Sequence, residues 1–317
     1  MAIAFLLAAI AASFSDDPSG IALPTRLSGD ADPEDAWTES SDQEEREEPS
    51  DLTLANFFSD GWSQDWVKRA RRGRTPDMAL LRVTTNFLER EVRLDYAYTR
   101  QVKNSSKVDH TQFLNGLIAY GLNRRLMIEV ISNYQWNEPP SGSTAAKANG
   151  AGAAALTRLQ LADTYDQCYG FQVRVSAPNR GIGQTATTVS PSLAGFQDLQ
   201  VLLGLDRVGL YESVTYDSLD GPHAAGARTQ SVSYDVALAK TWTSGEAFPV
   251  GNLTSFVELF STTDLNGARK DHTGVTLTPG VRFWFAHENS LTLGVDLPVS
   301  QPHPFGEVFR VTYILTF

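Results

Sequence analysis

The sequence predicts an all-β protein, a transmembrane antiparallel up-and-down β-barrel of about twelve strands preceded by a short amphipathic helix. Three observations carry this. Segments of about ten residues alternate apolar and polar side chains, many of them ending in aromatics, as strands do when one face meets lipid and the other a polar lumen. The connections between them run long, short, long, short. The chain closes on GEVFRVTYILTF, which places Phe309, Val311, Tyr313, Leu315 and Phe317 on one face of a final strand and ends on a bare aromatic. In 317 residues, 42% of them hydrophobic, no interior run reaches the roughly 20 apolar residues of a spanning helix, so crossing a membrane falls to strands.

Residues 1–15, MAIAFLLAAIAASFS, have the length and small-residue end of a signal peptide, with cleavage expected near Ala11 or Ser15, although the first residues lack Lys or Arg. Residues 16–51 hold thirteen acidic residues and two arginines, which accounts for the whole net charge of -11. The remainder balances at 24 basic and 24 acidic residues out of 26 and 37. So polar and like-charged a segment gains too little from burial to order itself, and reads as a disordered acidic tether. Residues 52–77 repeat Leu54, Phe58, Trp62 and Trp66 at four-residue spacing and then turn basic. This spacing predicts an amphipathic helix, either packed on the domain or anchored at headgroup depth through Trp62 and Trp66. Five basic side chains beside an acidic tether are a poor footprint for nucleic acid, and none is expected as a partner.

From residue 78 the period becomes two. REVRLDYAYT sets Val92, Leu94, Tyr96 and Tyr98 against Arg93 and Asp95. RRLMIEVISNYQW sets Leu126, Ile128, Val130, Tyr134 and Trp136 against Arg125 and Glu129. YGFQVRVS, SVSYDVALAKTW, TLTPGVRFWF and SLTLGVDL continue the pattern. Eleven connections, alternating between short turns and longer loops from Gln101–Asp109 to Pro298–Pro304, give twelve strands from about Glu91 to Phe317, with fourteen as the alternative count. The segment from Met78 to Leu88 is a thirteenth, placed in the lumen, beside the barrel mouth or as an extension of the first strand. The lumen candidates are then Arg93, Asp95, Arg125, Glu129, Arg174, Asp235, Glu258, Arg282 and Arg310, rows of charge that either select solutes or pair and fill the interior. Tyr134, Trp136 and Trp242 join Trp62 and Trp66 as membrane-interface anchors.

Cys168 stands alone, which excludes an internal disulfide and a cysteine metal site. The five histidines sit in no nucleophile motif and at no metal-ligand spacing, and no phosphate or dinucleotide loop occurs, so neither enzyme, metal nor cofactor is expected. The terminal strand resembles the closing-strand signal recognised by the barrel-assembly machinery. Across Leu80 to Phe317, the stretches AYGLNRRLMIEVISNYQW, FQVRVSAPNRGIG and TPGVRFWFAHENSLTLGVDLPVSQPHPFGEVFRVTYILTF resemble the family of outer-membrane transporters associated with meta-pathway phenol degradation. The resemblance implies an outer-membrane channel for passive passage of small aromatic or apolar solutes, with the Pro178–Pro191 loop as a candidate constriction. A non-conducting structural or adhesive barrel and a secreted soluble β-sandwich binding module are the competing readings. The expected partners are outer-membrane lipid, the assembly machinery and the solute.

Overall fold

Each alternating segment needs partners for its backbone on both sides, and in lipid no water can supply them, so the sheet must close. The computed structural model describes residues 50–67, 80–84, 87–100, 108–139, 148–179, 186–221, 228–242, 253–285, 289–300 and 305–317. The expected signal peptide, the expected tether up to residue 49 and the basic end of the expected helical segment lie outside the described residues.

Twelve strands form one closed antiparallel barrel in sequence order: β1 (Glu91–Arg100), β2 (His110–Gly121), β3 (Leu126–Glu138), β4 (Ala148–Asp163), β5 (Gln167–Ser176), β6 (Thr187–Asp198), β7 (Val208–Asp220), β8 (Gln230–Thr241), β9 (Leu253–Asp264), β10 (Thr273–Phe285), β11 (Asn289–Pro298) and β12 (Glu307–Thr316). The last strand closes on the first, with Val92 opposite Leu315 and Tyr98 opposite Phe309. The Phe317 N–H continues the closure to the Arg90 carbonyl at 3.0 Å. Twelve, not fourteen, is the count, and a single closed sheet replaces the two packed sheets of the sandwich alternative.

The outward face carries Ile118, Val130, Leu193, Tyr234, Leu238, Val257 and Phe309, all exposed. An exposed apolar face recurring on so many strands is a solvent mismatch in water and a match in acyl chains. The inward face is buried and polar: Glu129, Arg158, Ser192, Ser213, Ser233, Asp235, Thr254, Glu258, Thr278, Arg282, Thr292 and Asp296.

Two prolines interrupt the ladders. Pro191 lies inside β6, where the β6–β7 pairing skips from Val189 to Ser192, and Pro279 lies inside β10, where the β10–β11 pairing skips from Leu277 to Gly280. Each lacks the N–H its neighbour would accept. The loop expected to end at Pro191 therefore ends earlier, because β6 begins at Thr187. The β6–β7 turn holds a short helix that the alternation did not reveal, α1 (Leu199–Leu203), capped by the Asp198 carboxylate on the Gln200 N–H at 2.9 Å and ended by left-handed Gly204.

Candidate functional site

Leu80, Leu81, Val83 and Phe87 are apolar side chains just ahead of β1, and all four are buried inside the barrel. Their seat is a wall of small inward residues. Ala237 and Ala239 of β8 join the same apolar cluster, with Phe256 of β9, Phe196 of β6 and Tyr211 of β7. Phe256 lies across Gly280, and Leu81 lies against Gly294, so that a β-carbon at either glycine would overlap the neighbouring side chain. Phe87 packs edge-on to Phe196 and Tyr211, with ring centroids 5.3 and 6.3 Å apart.

Polar contacts hold the same segment by its backbone. Glu258 of β9, fully buried, accepts the N–H of Leu81 at 2.8 Å on Oε1, and those of Arg82 and Val83 at 2.7 and 3.0 Å on Oε2. Arg82 donates to Asp296 of β11 at 2.6 Å, its guanidinium lying 3.7 Å from the Phe260 ring centre. Arg310 of β12 reaches the same Asp296 at 2.9 Å. From the other wall, Arg93 donates to the Leu80 carbonyl at 3.1 Å and Arg158 to the Phe87 carbonyl at 2.6 Å. A charge buried in a lumen must be paired or hydrogen-bonded, and Glu258 meets that need with plug backbone.

The plug rests on the β8–β12 side and leaves open a cavity of about 300 Å³ lined mainly by β1–β7. Its lining includes Glu91, Arg93, Asp95, Glu129, Arg174 and Asp217. Most of its charges are paired. Asp95 accepts from Arg93 at 2.6 Å, Asn115 at 3.0 Å and Thr312 at 2.6 Å, and Arg158 meets Glu129 at 3.1 Å.

No protein-family model and no curated protein matches the sequence. Solved structures do match its shape. An outer membrane channel from Pseudomonas putida F1 superimposes with a TM-score of 0.51 over 76% of this chain and 100% of its own, at 12% identity. The beta domain of the Bordetella autotransporter BrkA gives 0.48 over 72% and 100%, at 12% identity, and the KdgM porin 0.46 over 71% and 99%, also at 12%. The chain has the closed β-barrel fold of that channel. At these identities the likeness bears on the fold, and what passes through or binds the lumen has to be argued from this chain's own residues.

Of the residues singled out in the sequence, Arg93, Asp95, Glu129, Arg174, Asp235, Glu258, Arg282 and Arg310 share the inward face. Asp235 accepts from Ser213 at 3.0 Å, and Arg282 donates to Ser290 at 2.8 Å with its guanidinium 4.3 Å from the Trp284 ring centre. Arg125 does not line the lumen. It precedes β3 in the turn after β2, fully buried, and donates to the carbonyls of Thr53, Asn56, Asp60, Gln160 and Leu161 and to the Asn56 side chain, at 2.9 to 3.3 Å. Burial, then the neighbouring Arg124 charge, lowers its pKa, while Asp60 and Asp163 oppose the shift.

That arginine also explains why residues 50–67 form successive turns instead of the expected helix. It bonds to the Thr53, Asn56 and Asp60 carbonyls, Asn56 turns back onto the Thr53 N–H at 2.7 Å, and Gly61 takes φ 87° with a Cβ position 2.9 Å from Arg125 Cγ. A two-residue bridge from Leu52 to Asp163 fixes the segment beneath β4.

Trp66 lies against Gly121 and donates to the Leu88 carbonyl at 2.9 Å, and Arg90 sits 4.7 Å from its ring centre and 4.4 Å from that of outward-facing Tyr120. Trp62 is partly exposed and donates to the Phe57 carbonyl at 2.6 Å. Tyr134 and Trp136 face outward near the loop end of β3, with ring centroids 4.5 Å apart, while Trp242 follows β8 at the turn end, exposed and bonded to Ser255 at 2.8 Å. Phe309, Val311, Tyr313, Leu315 and Phe317 share the outward side of β12 and the residue that follows it. The sequence reading missed Arg82, Arg158 and Asp296. The last two share inward parity with Leu156 and Gly294, a signal present in TRLQL and SLTLGVDL once each strand's lipid face is assigned.

Proposed function

We propose that this barrel is an outer-membrane channel for passive passage of small solutes with an aromatic or apolar body, held closed by a plug that includes residues 80–84 and Phe87. The observation that carries the reading is the division of the lumen. One half is occupied by a segment tied down by hydrogen bonds and ion pairs that can exchange with water, and the other half is a polar-rimmed cavity. A barrel built only as a wall would fill its interior with strand side chains. The resemblance to the transporters associated with meta-pathway phenol degradation supports the solute class. Arg93, Asp95, Glu129 and Arg174 act as the selecting charges along the open side, whereas Glu258, Asp296 and Arg310 act as the plug's latch. The constriction is then the plug, and not the Pro178–Pro191 loop, whose residues 180–185 lie outside the described residues. Trp62, Trp66, Tyr134, Trp136 and Trp242 serve as headgroup anchors, and β12 with Phe317 as the segment the assembly machinery reads.

The packing of Phe87 on Phe196 and Tyr211 favours a second reading, a permanently plugged, structural barrel. Single-channel recording of the full chain in planar bilayers separates the two. Brief openings of small conductance, made more frequent by Arg82→Ala, are expected. Silence in both proteins, with both barrels folded, would establish the plugged reading.

A further inference from the structure

The open half of the lumen is not uniformly polar. Leu117 of β2, Ile131 of β3 and Leu156 of β4 all point into it, against the polar-inside rule of membrane barrels. Leu117 faces Ile131 across the β2–β3 ladder, and Leu156 lies between Glu129 of β3 and Arg174 of β5 in register. They therefore form one apolar patch whose edge is the Arg174 guanidinium. The far side of that edge is hydroxyl-rich, with Ser190 beside Arg174 in register and Ser192 and Thr215 paired beyond it.

Arg174 differs from the other arginines on this side. Arg93 has Asp95 and Arg158 has Glu129. Among the described residues Arg174 makes no ion pair or hydrogen bond, and its Nε is shielded from solvent without an acceptor. Glu129 and Asp95 are engaged by other arginines, and Asp217 accepts the Ser190 hydroxyl at 2.5 Å. A shielded guanidinium N–H with nothing to donate to costs free energy that a bound acceptor would recover, and a carboxylate matches its fork with two parallel bonds.

We infer that the cavity is a binding site for a small monocarboxylate with an apolar body, its carboxylate on Arg174 and its body on Leu117, Ile131 and Leu156. This deepens the channel reading and rests on it only for how the solute arrives. A volume of about 300 Å³ lies at the small end of ligand pockets and has room for a substituted single ring. Inorganic anions would satisfy Arg174 and leave the apolar patch wet. Neutral aromatics would cover the patch and leave Arg174 unbonded.

Equilibrium binding of radiolabelled benzoate to the full chain in lipid nanodiscs tests this, with benzyl alcohol supplying the ring without the charge and acetate the charge without the ring. Benzoate is expected to bind at least tenfold more tightly than either control, and Arg174→Gln to bring it down to the level of benzyl alcohol. Equal affinity for benzoate and benzyl alcohol, acetate binding as well as benzoate, undiminished benzoate binding in folded Arg174→Gln, or no binding of any probe would each overturn the assignment. The wild-type comparison needs no variant and stands if Arg174→Gln fails to fold. Binding is read without ion flow. A barrel silent in bilayers that still prefers benzoate refutes the channel and keeps the site, whereas a conducting barrel without that preference does the reverse.

Discussion

Replacing Glu258 with Gln isolates the latch on the plug. The substitution keeps the shape and leaves Oε1 to accept the Leu81 N–H at 2.8 Å. It puts an amide NH2 where Oε2 accepts from Arg82 and Val83 at 2.7 and 3.0 Å. Two charge-assisted bonds, each worth about 1.5–3 kcal/mol, become donor facing donor. Halving the sum for relaxation and entry of water leaves about 1.5–3 kcal/mol, and at 1.4 kcal/mol per decade that is a shift of roughly ten- to a hundredfold toward the released plug. The Arg82–Asp296–Arg310 cluster and the Phe87 contacts remain, so release is partial and the barrel stays closed as a sheet. Hydrogen exchange read by mass spectrometry on the peptide spanning 80–88 measures it directly: exchange should accelerate by about that factor, with β9 and β10 amides unchanged. Unaltered protection of Leu81, Arg82 and Val83 would refute the idea that Glu258 holds the segment. Acceleration spread over the whole barrel would show that Glu258 supports the wall and not the plug.

Three further outcomes follow from the same geometry. Gly280→Ala sets a β-carbon into the Phe256 ring and 2.8 Å from the Leu293 carbonyl, and should cost about 1–3 kcal/mol of barrel stability; a lower temperature for loss of the fast-migrating unheated band in SDS checks it. Arg125→Ala removes the guanidinium that gathers the carbonyls of residues 53–60 and of the end of β4, and should raise hydrogen exchange over residues 51–61 by about tenfold or more while the barrel's own heat-resistant mobility is retained. Deleting Phe317 removes the last closing hydrogen bond, to the Arg90 carbonyl, and the exposed terminal aromatic; the assembled, heat-modifiable fraction in membranes should fall several-fold.

Strand number and connection order were legible because both rest on local, repeated features. Period-two alternation fixes which side chains share a face, and Tyr134, Trp136 and Trp242 mark strand ends. The charges at Arg93, Asp95, Glu129, Asp235, Glu258, Arg282 and Arg310 could be assigned inward by parity alone. What parity cannot say is whether a residue of inward phase is still within the wall. Arg125 has the phase of Met127 and Glu129, yet falls in the turn, where it captures the 50–67 segment. The spacing of Leu54, Phe58, Trp62 and Trp66 is a helical one, but spacing does not include an arginine about 70 residues away that competes for the helix's carbonyls. Nor does a strand pattern reveal that Asp296 serves two arginines from different elements, because both partners become neighbours only when the barrel closes.

The position of the plug was present in the sequence in a less familiar form. A lumen lined throughout by medium-sized polar residues would leave no preferred seat for an entering segment. Here the inward residues of β8, β10 and β11 include Ala237, Ala239, Gly280 and Gly294, while β2 to β4 carry Leu117, Met127, Ile131, Leu156 and Arg158 at the same phase. Small side chains on one wall make room for Leu81 and the Phe256 ring, and large ones on the other hold the segment away. The buried carboxylate of Glu258 then has no basic side chain opposite it in the adjoining strands, since its register partners are Ala237 and Thr278. A fully buried charge among such neighbours requires donors from outside the sheet, and backbone N–H groups of a segment lying in the lumen are the donors that it finds. The same asymmetry leaves the open crescent on the β1–β7 side, where Arg174 finds no such partner among the described residues.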